Sequence, residues 1–196
     1  MEILSAIKNT RLVENFSGKD LPMKVVLEII DTARWAISFQ DMQSWELIMI
    51  KDEDRKKELS EIVLKGELKK ASVLMVICSN VDRARFAAGE KGAELSTIEV
   101  SAFIQNIVTA SRHFGVSCNV LADFSKEKLR AFIESPEGVV PLAVVSLGFT
   151  THYPNVKRVP ITTFIHTEKF GTPWQGELPS KFSERGNKST FMHIFG

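Results

Sequence analysis

Apolar side chains recur at two spacings along the 196-residue chain, and the spacing predicts the element. Leu4–Lys8 reads as a short N-terminal helix. Asp20-Leu21-Pro22 then predicts a helix start, a capping carboxylate followed by a proline in the first turn where its missing N–H costs nothing. Val25, Val26, Ile29, Ile30 and Ala33 follow at helical spacing and give one apolar stripe to about Ala36. Ile37–Ser44 is polar and irregular, and Trp45–Lys51 alternates and ends in charge, as a strand does. Asp52-Glu53-Asp54 puts negative charge on the first turn of a helix with Leu59, Ile62 and Val63 facing inward. Ala71–Ser79 is a continuous apolar run rich in β-branched residues, the pattern of a central strand.

The second half repeats the alternation. A polar helical stretch, about Asp82–Gly92, leads into the longest helix, about Leu95–Phe114. Leu95, Ile98, Val100, Phe103, Ile104, Ile107 and Val108 cover more than one face of it, which predicts burial in the core or at a subunit interface. Gly115 ends it. A strand at Val116–Leu121, a helix at Ser125–Glu134 capped by Ser125, and a strand at Val139–Gly148 follow. Beyond Gly148 the chain is rich in Pro, Gly, Thr and Ser, with one short apolar run at Ile161–Ile165. Such a tail cannot build its own core and is expected to pack on something else. No repeat or linker cuts the chain, so one domain over 1–196 is expected, with 150–196 as its extended tail.

Composition narrows the function. Hydrophobic residues make up 44% and charged ones 25%, with a formal net charge of +1. There is no one-sided basic field for nucleic acid. The longest apolar stretches are too short to cross a bilayer, and MEILSAIKNTR lacks a signal peptide's apolar core, so a cytoplasmic protein is expected. Cys78 and Cys118 sit in apolar surroundings and are expected to be buried free thiols, with a disulfide between them as the alternative.

Self-contained side-chain chemistry is not visible. No GxGxxG or GxxxxGK[ST] element follows a strand, and there is no GxSxG elbow. His113, His152, His166 and His193 are not spaced for a metal. Ser125–Lys128 satisfies SxxK but reads better as a helix cap, and the carboxylates fall on faces expected to be solvated. No side chain is therefore named as catalytic, and any redox or group-transfer chemistry would come from a cofactor.

Four segments in order carry a resemblance. IKNTRLVENFSGKDLP is similar to an I-x-x-R-R-S-x-R-x-F opening, and WAISFQDMQSW to A-P-S-x-x-N-x-Q-P-W. AFIQNIVTASRHFGVSC resembles an A-x-Q-N helix ending in a glycine turn. Val139–Phe149 with Lys157-Arg158-Val159-Pro160 resembles a last strand, its L-G-Y end and the basic-apolar-proline element after it. Together, over about residues 3–171, they resemble the nitroreductase family of FMN proteins. The resemblance implies an α+β fold with a mainly antiparallel central sheet flanked by helices. It further implies an obligate homodimer with FMN at the subunit interface, and a C-terminal tail that wraps the partner. The activity implied is electron transfer from NAD(P)H to a nitroaromatic, quinone or similar acceptor by ping-pong turnover.

By the same pattern Arg11, Lys157 and Arg158 are candidates for the flavin phosphate, Arg158 first, with solvated surface charge as the plain alternative. Ser38, Phe39, Asp41 and Gln43, with the backbone near Leu121–Asp123, stand where the family contacts the ring system. Trp45 reads as core. The departures cluster at the cofactor. Thr10 replaces an arginine, Leu12 a serine, Glu14 a cation, Asp41 an asparagine, and Leu121-Ala122-Asp123 a glycine-rich turn. Glu14 weighs most, because reduced flavin carries negative charge at its pyrimidine edge. Unit charges about 4 Å apart interact by about 4 kcal/mol at an effective dielectric near 20. The alternative reading is therefore a non-catalytic protein that binds flavin or another ligand on the same fold.

Overall fold

The structure is a computed structural model and describes residues 3–177. The chain divides into two compact units, Met1–Pro154 and Asn155–Gly196, so the division falls a few residues after the expected start of the tail at 150. Residues 178–196 of that tail, with His193, lie outside the described residues.

The first unit is α+β. Its helices are α1 (Ile3–Asn9), α2 (Met23–Ala33), α3 (Glu53–Ile62), α4 (Val81–Ala88), α5 (Gly92–His113) and α6 (Lys126–Ile133). Its strands are β1 (Trp45–Ile50), β2 (Val73–Asn80), β3 (Ser117–Leu121) and β4 (Val139–Gly148). The sheet runs β1-β2-β4-β3 with every pairing antiparallel. β2 is central and buried from Val73 to Ser79, as its unbroken apolar run requires. The register slips between Ile77 and Cys78, where Pro141 of β4, lacking an N–H, faces the ladder.

Alternation of side chains across the sheet produces two cores. One face packs Val73, Met75, Ile77, Val145 and Leu147 against Val26, Ile29 and Ala33 of α2 and Val100, Phe103 and Ile107 of α5. The other packs Leu74, Val76, Cys78 and Val144 against Leu59 of α3 and Leu129 and Phe132 of α6, joined by Val13 and Phe16. Each fully buried side chain of this size contributes about 1.5–3 kcal/mol.

Several local expectations are corrected. Pro22, not Asp20, occupies the position before α2, and no side chain caps that end. The neighbouring N–H of Leu21 is taken by Ser72 Oγ at 2.7 Å instead. α2 stops at Ala33, because the chain turns there to begin the loop before β1. α5 begins at Gly92, after a 3₁₀ turn at Gly89–Lys91 that separates it from α4. A β-carbon at Gly92 would overlap the backbone of Ala84, so glycine there lets α4 and α5 pack close. Ser125 does cap α6, accepting from Lys128 N. Gly115, with φ +69°, reverses the chain out of α5 into β3.

In the second unit a 3₁₀ turn spans Ile161–Thr163, within the expected apolar run. His166 bridges to Pro173 and its ring lies 4.5 Å from that of Phe170. Among the described residues no helix is long and apolar enough to cross a membrane.

Candidate functional site

The polar segment between α2 and β1 is ordered by a carboxylate that the sequence reading placed on a solvated face. Glu99 of α5 is fully buried. Its Oε1 accepts from Ser44 N at 2.5 Å and Ser44 Oγ at 2.6 Å. Its Oε2 accepts from Ser38 Oγ at 3.0 Å and Phe39 N at 3.2 Å. The four donors replace the water that a buried carboxylate loses, and no cation pairs with it among the described residues.

Behind it runs a row of buried hydroxyls. Ser44 Oγ and Ser96 Oγ are 2.5 Å apart, as are Ser96 Oγ and Ser79 Oγ. Since Ser44 spends its one hydrogen on Glu99, Ser96 must donate to Ser44 and Ser79 to Ser96. Every hydroxyl in the row therefore points its hydrogen toward the carboxylate.

The loop so held is strained. Gln40, Asp41 and Gln43 have φ of 50°, 57° and 44°, left-handed values for residues with side chains. Each costs roughly 1–2 kcal/mol and persists only where the surroundings fix it. Glu99 fixes the loop from α5 and Arg83 fixes it from α4. Arg83 Nη1 donates to Gln43 O at 2.8 Å and Nη2 to Glu46 Oε1 at 2.5 Å. Ser38 Oγ also accepts Gln43 N at 2.9 Å, and Gln43 Nε2 donates to Asp41 Oδ1 at 2.6 Å. Trp45 stacks on Phe103 at 5.2 Å with the rings 7° from parallel, so it packs against the core as expected.

Ser38, Asp41 and Gln43 thus come together, and with Arg34, Trp35, Ala36 and Trp45 they line a cavity of about 230 Å³. That is below the roughly 300–1,000 Å³ of ordinary ligand sites. Phe39 is half-buried beside it.

The other candidates stand elsewhere. Leu12 bridges in parallel to Cys118 on β3, and Val13 N donates to Cys118 O at 2.9 Å. Thr10 Oγ1 is taken by Ala6 O at 2.7 Å. Arg11 Nη1 donates to Lys8 O at 2.9 Å and Thr10 O at 2.7 Å, turning its guanidinium back on the end of α1. Glu14 and Ala122 are exposed, while Leu121 is half-buried against the second core. Lys157 and Arg158 are exposed residues of the second unit.

Sheet geometry sets the distance between the first two groups. β1 and β3 are opposite edge strands, and Leu12 lies outside β3, four strand spacings from β1. Cys118 is level with Leu147 and Val73, whereas Trp45 is level with Ser79, six residues further along β2. The two segments therefore occupy diagonal corners, on the order of 25 Å apart at about 4.8 Å per strand and 3.3 Å per residue. The three fused rings of a flavin do not span that distance. The donor types otherwise suit such a group, with indole faces and amide and hydroxyl edges in one corner and the Arg11 side chain in the other.

Burial raises the thiols of Cys78 and Cys118 to about 12, with the Glu46 carboxylate adding to the effect at Cys78. Both are free, as the sequence reading expected.

Glu99, Ser96 and Arg83 were missed. Helical spacing could have found Glu99, which is four residues from both Leu95 and Phe103 and so shares their inward face. Arg83 carries no such signal, since its partners Gln43 and Glu46 are distant in sequence.

Known proteins place this geometry. The nitroreductase family model matches residues 7–71. A protein of Methanothermobacter thermautotrophicus, provisionally named an NADH dehydrogenase/NAD(P)H nitroreductase, is 24% identical over 175 residues, 87% of this chain and 88% of its own. The FMN reductase (NADPH) of Bacillus subtilis is 23% identical over 185 residues, 85% of this chain and 74% of its own. Among solved structures, a nitroreductase family protein of Streptococcus pneumoniae superposes with a TM-score of 0.76 at 18% identity, covering 85% of this chain and all of its own. By fold and over its first third, and at low identity throughout, this chain is similar to the nitroreductase family.

Proposed function

We propose that the chain is an FMN-dependent oxidoreductase that takes electrons from NAD(P)H and passes them by ping-pong turnover to a nitroaromatic, quinone or similar acceptor. We further propose that it works as a cytoplasmic homodimer whose C-terminal tail packs on the partner. The observation that carries this reading is the strained polar loop at Ser38–Gln43. Its conformation is fixed from two helices, yet the cavity it lines is only about 230 Å³. Strain of this kind collects at binding and catalytic sites. A second copy would bring its own Thr10–Glu14 segment and so complete the cavity, which one chain cannot do across the diagonal of its sheet. The relatives named for NAD(P)H and for FMN support the chemistry.

Bound FMN would supply the two-electron redox chemistry. Ser38, Phe39, Asp41 and Gln43 of one chain would orient its ring edge. Thr10, Arg11, Leu12, Glu14, Leu121 and Ala122 would flank the ring from the other chain, and Lys157 and Arg158 are the candidates for its phosphate. Trp35 and Trp45 would exclude water from the ring faces. No side chain is assigned as an acid or base. The test is the absorbance spectrum of natively purified protein, which should be yellow and bleach with NAD(P)H. Protein that stays colourless with added FMN would refute the reading.

A second reading has its own support. Thr10 Oγ1 donates to Ala6 O and Arg11 Nη1 to Lys8 O and Thr10 O, and Glu14 is exposed at the same segment. A protein that binds flavin or another ligand without turnover fits this eroded segment. FMN titration separates the two, because tight binding with rapid NAD(P)H oxidation excludes the non-catalytic form.

A further inference from the structure

We propose that Arg112 is an anion-binding residue that grips a phosphate monoester. It rests on the FMN reading above for its first choice of ligand, the flavin's own phosphate.

Arg112 lies in the last turn of α5 and is half-buried. Its guanidinium sits over the ring of Tyr153, 5.5 Å from the centroid. The Tyr153 hydroxyl and Ser117 Oγ are 3.1 Å apart, two further hydrogen-bonding groups beside it. Arg112 Nε is enclosed and meets no acceptor, and no carboxylate pairs with the side chain among the described residues. An enclosed donor left unmet is uncommon in native proteins and calls for a partner. A guanidinium fork matches the oxygens of a phosphate, which several donors can share.

Location chooses the ligand. Gly115 turns the chain from α5 into β3, and Cys118 of β3 carries the Leu12 segment. Arg112 therefore stands at the same corner as Thr10, thirteen residues and roughly 20 Å along α5 from Glu99 and the ring-facing loop. At that corner Thr10 replaces the arginine of the family pattern, the Thr10 hydroxyl is spent on Ala6 O, and Arg11 Nη1 is spent on Lys8 O and Thr10 O. Arg112 restores there the positive charge that the opening segment has lost.

FMN and NADPH both carry a phosphate monoester, and paired titrations tell them apart. Wild type and Arg112→Gln are titrated with FMN and with riboflavin, which lacks the phosphate, following flavin fluorescence. The NADPH and NADH dissociation constants are measured alongside. The expected result is a tenfold to hundredfold loss for FMN, about what a charged hydrogen bond is worth, with riboflavin changed less than about twofold. A loss confined to NADPH over NADH keeps the phosphate grip and assigns it to the reductant. Unchanged ratios in both pairs overturn the proposal. Should neither flavin bind wild type, the FMN reading fails separately. Inorganic phosphate then decides, since it must raise the Tm of wild type and not of Arg112→Gln. If Arg112→Gln does not fold, Arg112→Lys replaces it, keeping the charge and losing the fork. It should still cut the FMN-to-riboflavin preference severalfold, and an undiminished preference overturns the proposal.

Discussion

Replacing Glu99 by glutamine exchanges one oxygen for an amide at almost constant volume, so its effect isolates the hydrogen bonds. Four donors converge on the two oxygens. The new –NH₂ must face one pair of them. Facing Ser44, it meets a backbone N–H at 2.5 Å and a hydroxyl already committed to the serine row. Facing Ser38 and Phe39, it meets a hydroxyl that can turn and accept, and a backbone N–H that cannot. The second orientation is cheaper, and it leaves Phe39 N unmet. That costs about 1–3 kcal/mol, and the remaining bonds lose their charge assistance. Relief of burying a carboxylate offsets part of this. The net loss should be about 2 kcal/mol, or a fall in Tm of roughly 4–8 °C for a chain of this length.

The loop should respond more than the core. Phe39 directly precedes the left-handed residues Gln40 and Asp41, so freeing it lets their strain relax. Hydrogen exchange of Glu99→Gln should show faster exchange at residues 39–44 and unchanged protection in β2. A variant with wild-type Tm and wild-type exchange in the loop would refute the view that Glu99 sets its conformation.

Further outcomes follow from the same geometry. Arg83→Met removes the clamp on Gln43 O from a partly exposed position, so it should cost at most about 1 kcal/mol yet raise exchange at residues 42–44. Phe103→Ala removes a core ring and the stacking partner of Trp45, and denaturant titration should show a loss of about 3–5 kcal/mol. The thiols of Cys78 and Cys118, raised to about 12, stay protonated well above neutral pH, so native protein at pH 8 should resist thiol reagents until unfolded. Rapid labelling of folded protein would show that their burial is misread. Under the proposed function, Arg158→Ala should weaken FMN binding by about 1.5–3 kcal/mol in a fluorescence titration, and an unchanged affinity would remove Arg158 from the phosphate site.

The fold was legible because its elements announce themselves locally. The unbroken run at Ala71–Ser79, the stripe of α2 and Gly115 each state their environment in a few residues. Boundaries were less so, since the end of α2 depends on where the loop must turn and the start of α5 on close packing of Gly92 against α4. The site was half legible. The residue types of the Ser38–Gln43 loop marked it, but its shape is set by Glu99 and Arg83, whose partners lie about 40 to 60 residues away in sequence. The carboxylates are expected on solvated faces, and only the helical phase of Glu99 with Leu95 and Phe103 argues otherwise for that one. Nor does sequence order reveal that the Thr10–Glu14 and Ser38–Gln43 segments end at opposite corners of one sheet.

That separation makes the central claim measurable. Sedimentation velocity of FMN-saturated protein, followed at the flavin absorbance band, reports which species carries the cofactor. A cavity completed by a second chain predicts that flavin travels with the dimer alone, at two per dimer, and is released as dilution yields monomer. Flavin sedimenting stoichiometrically with a monomer, or a dimer that stays free of flavin at saturation, would contradict it.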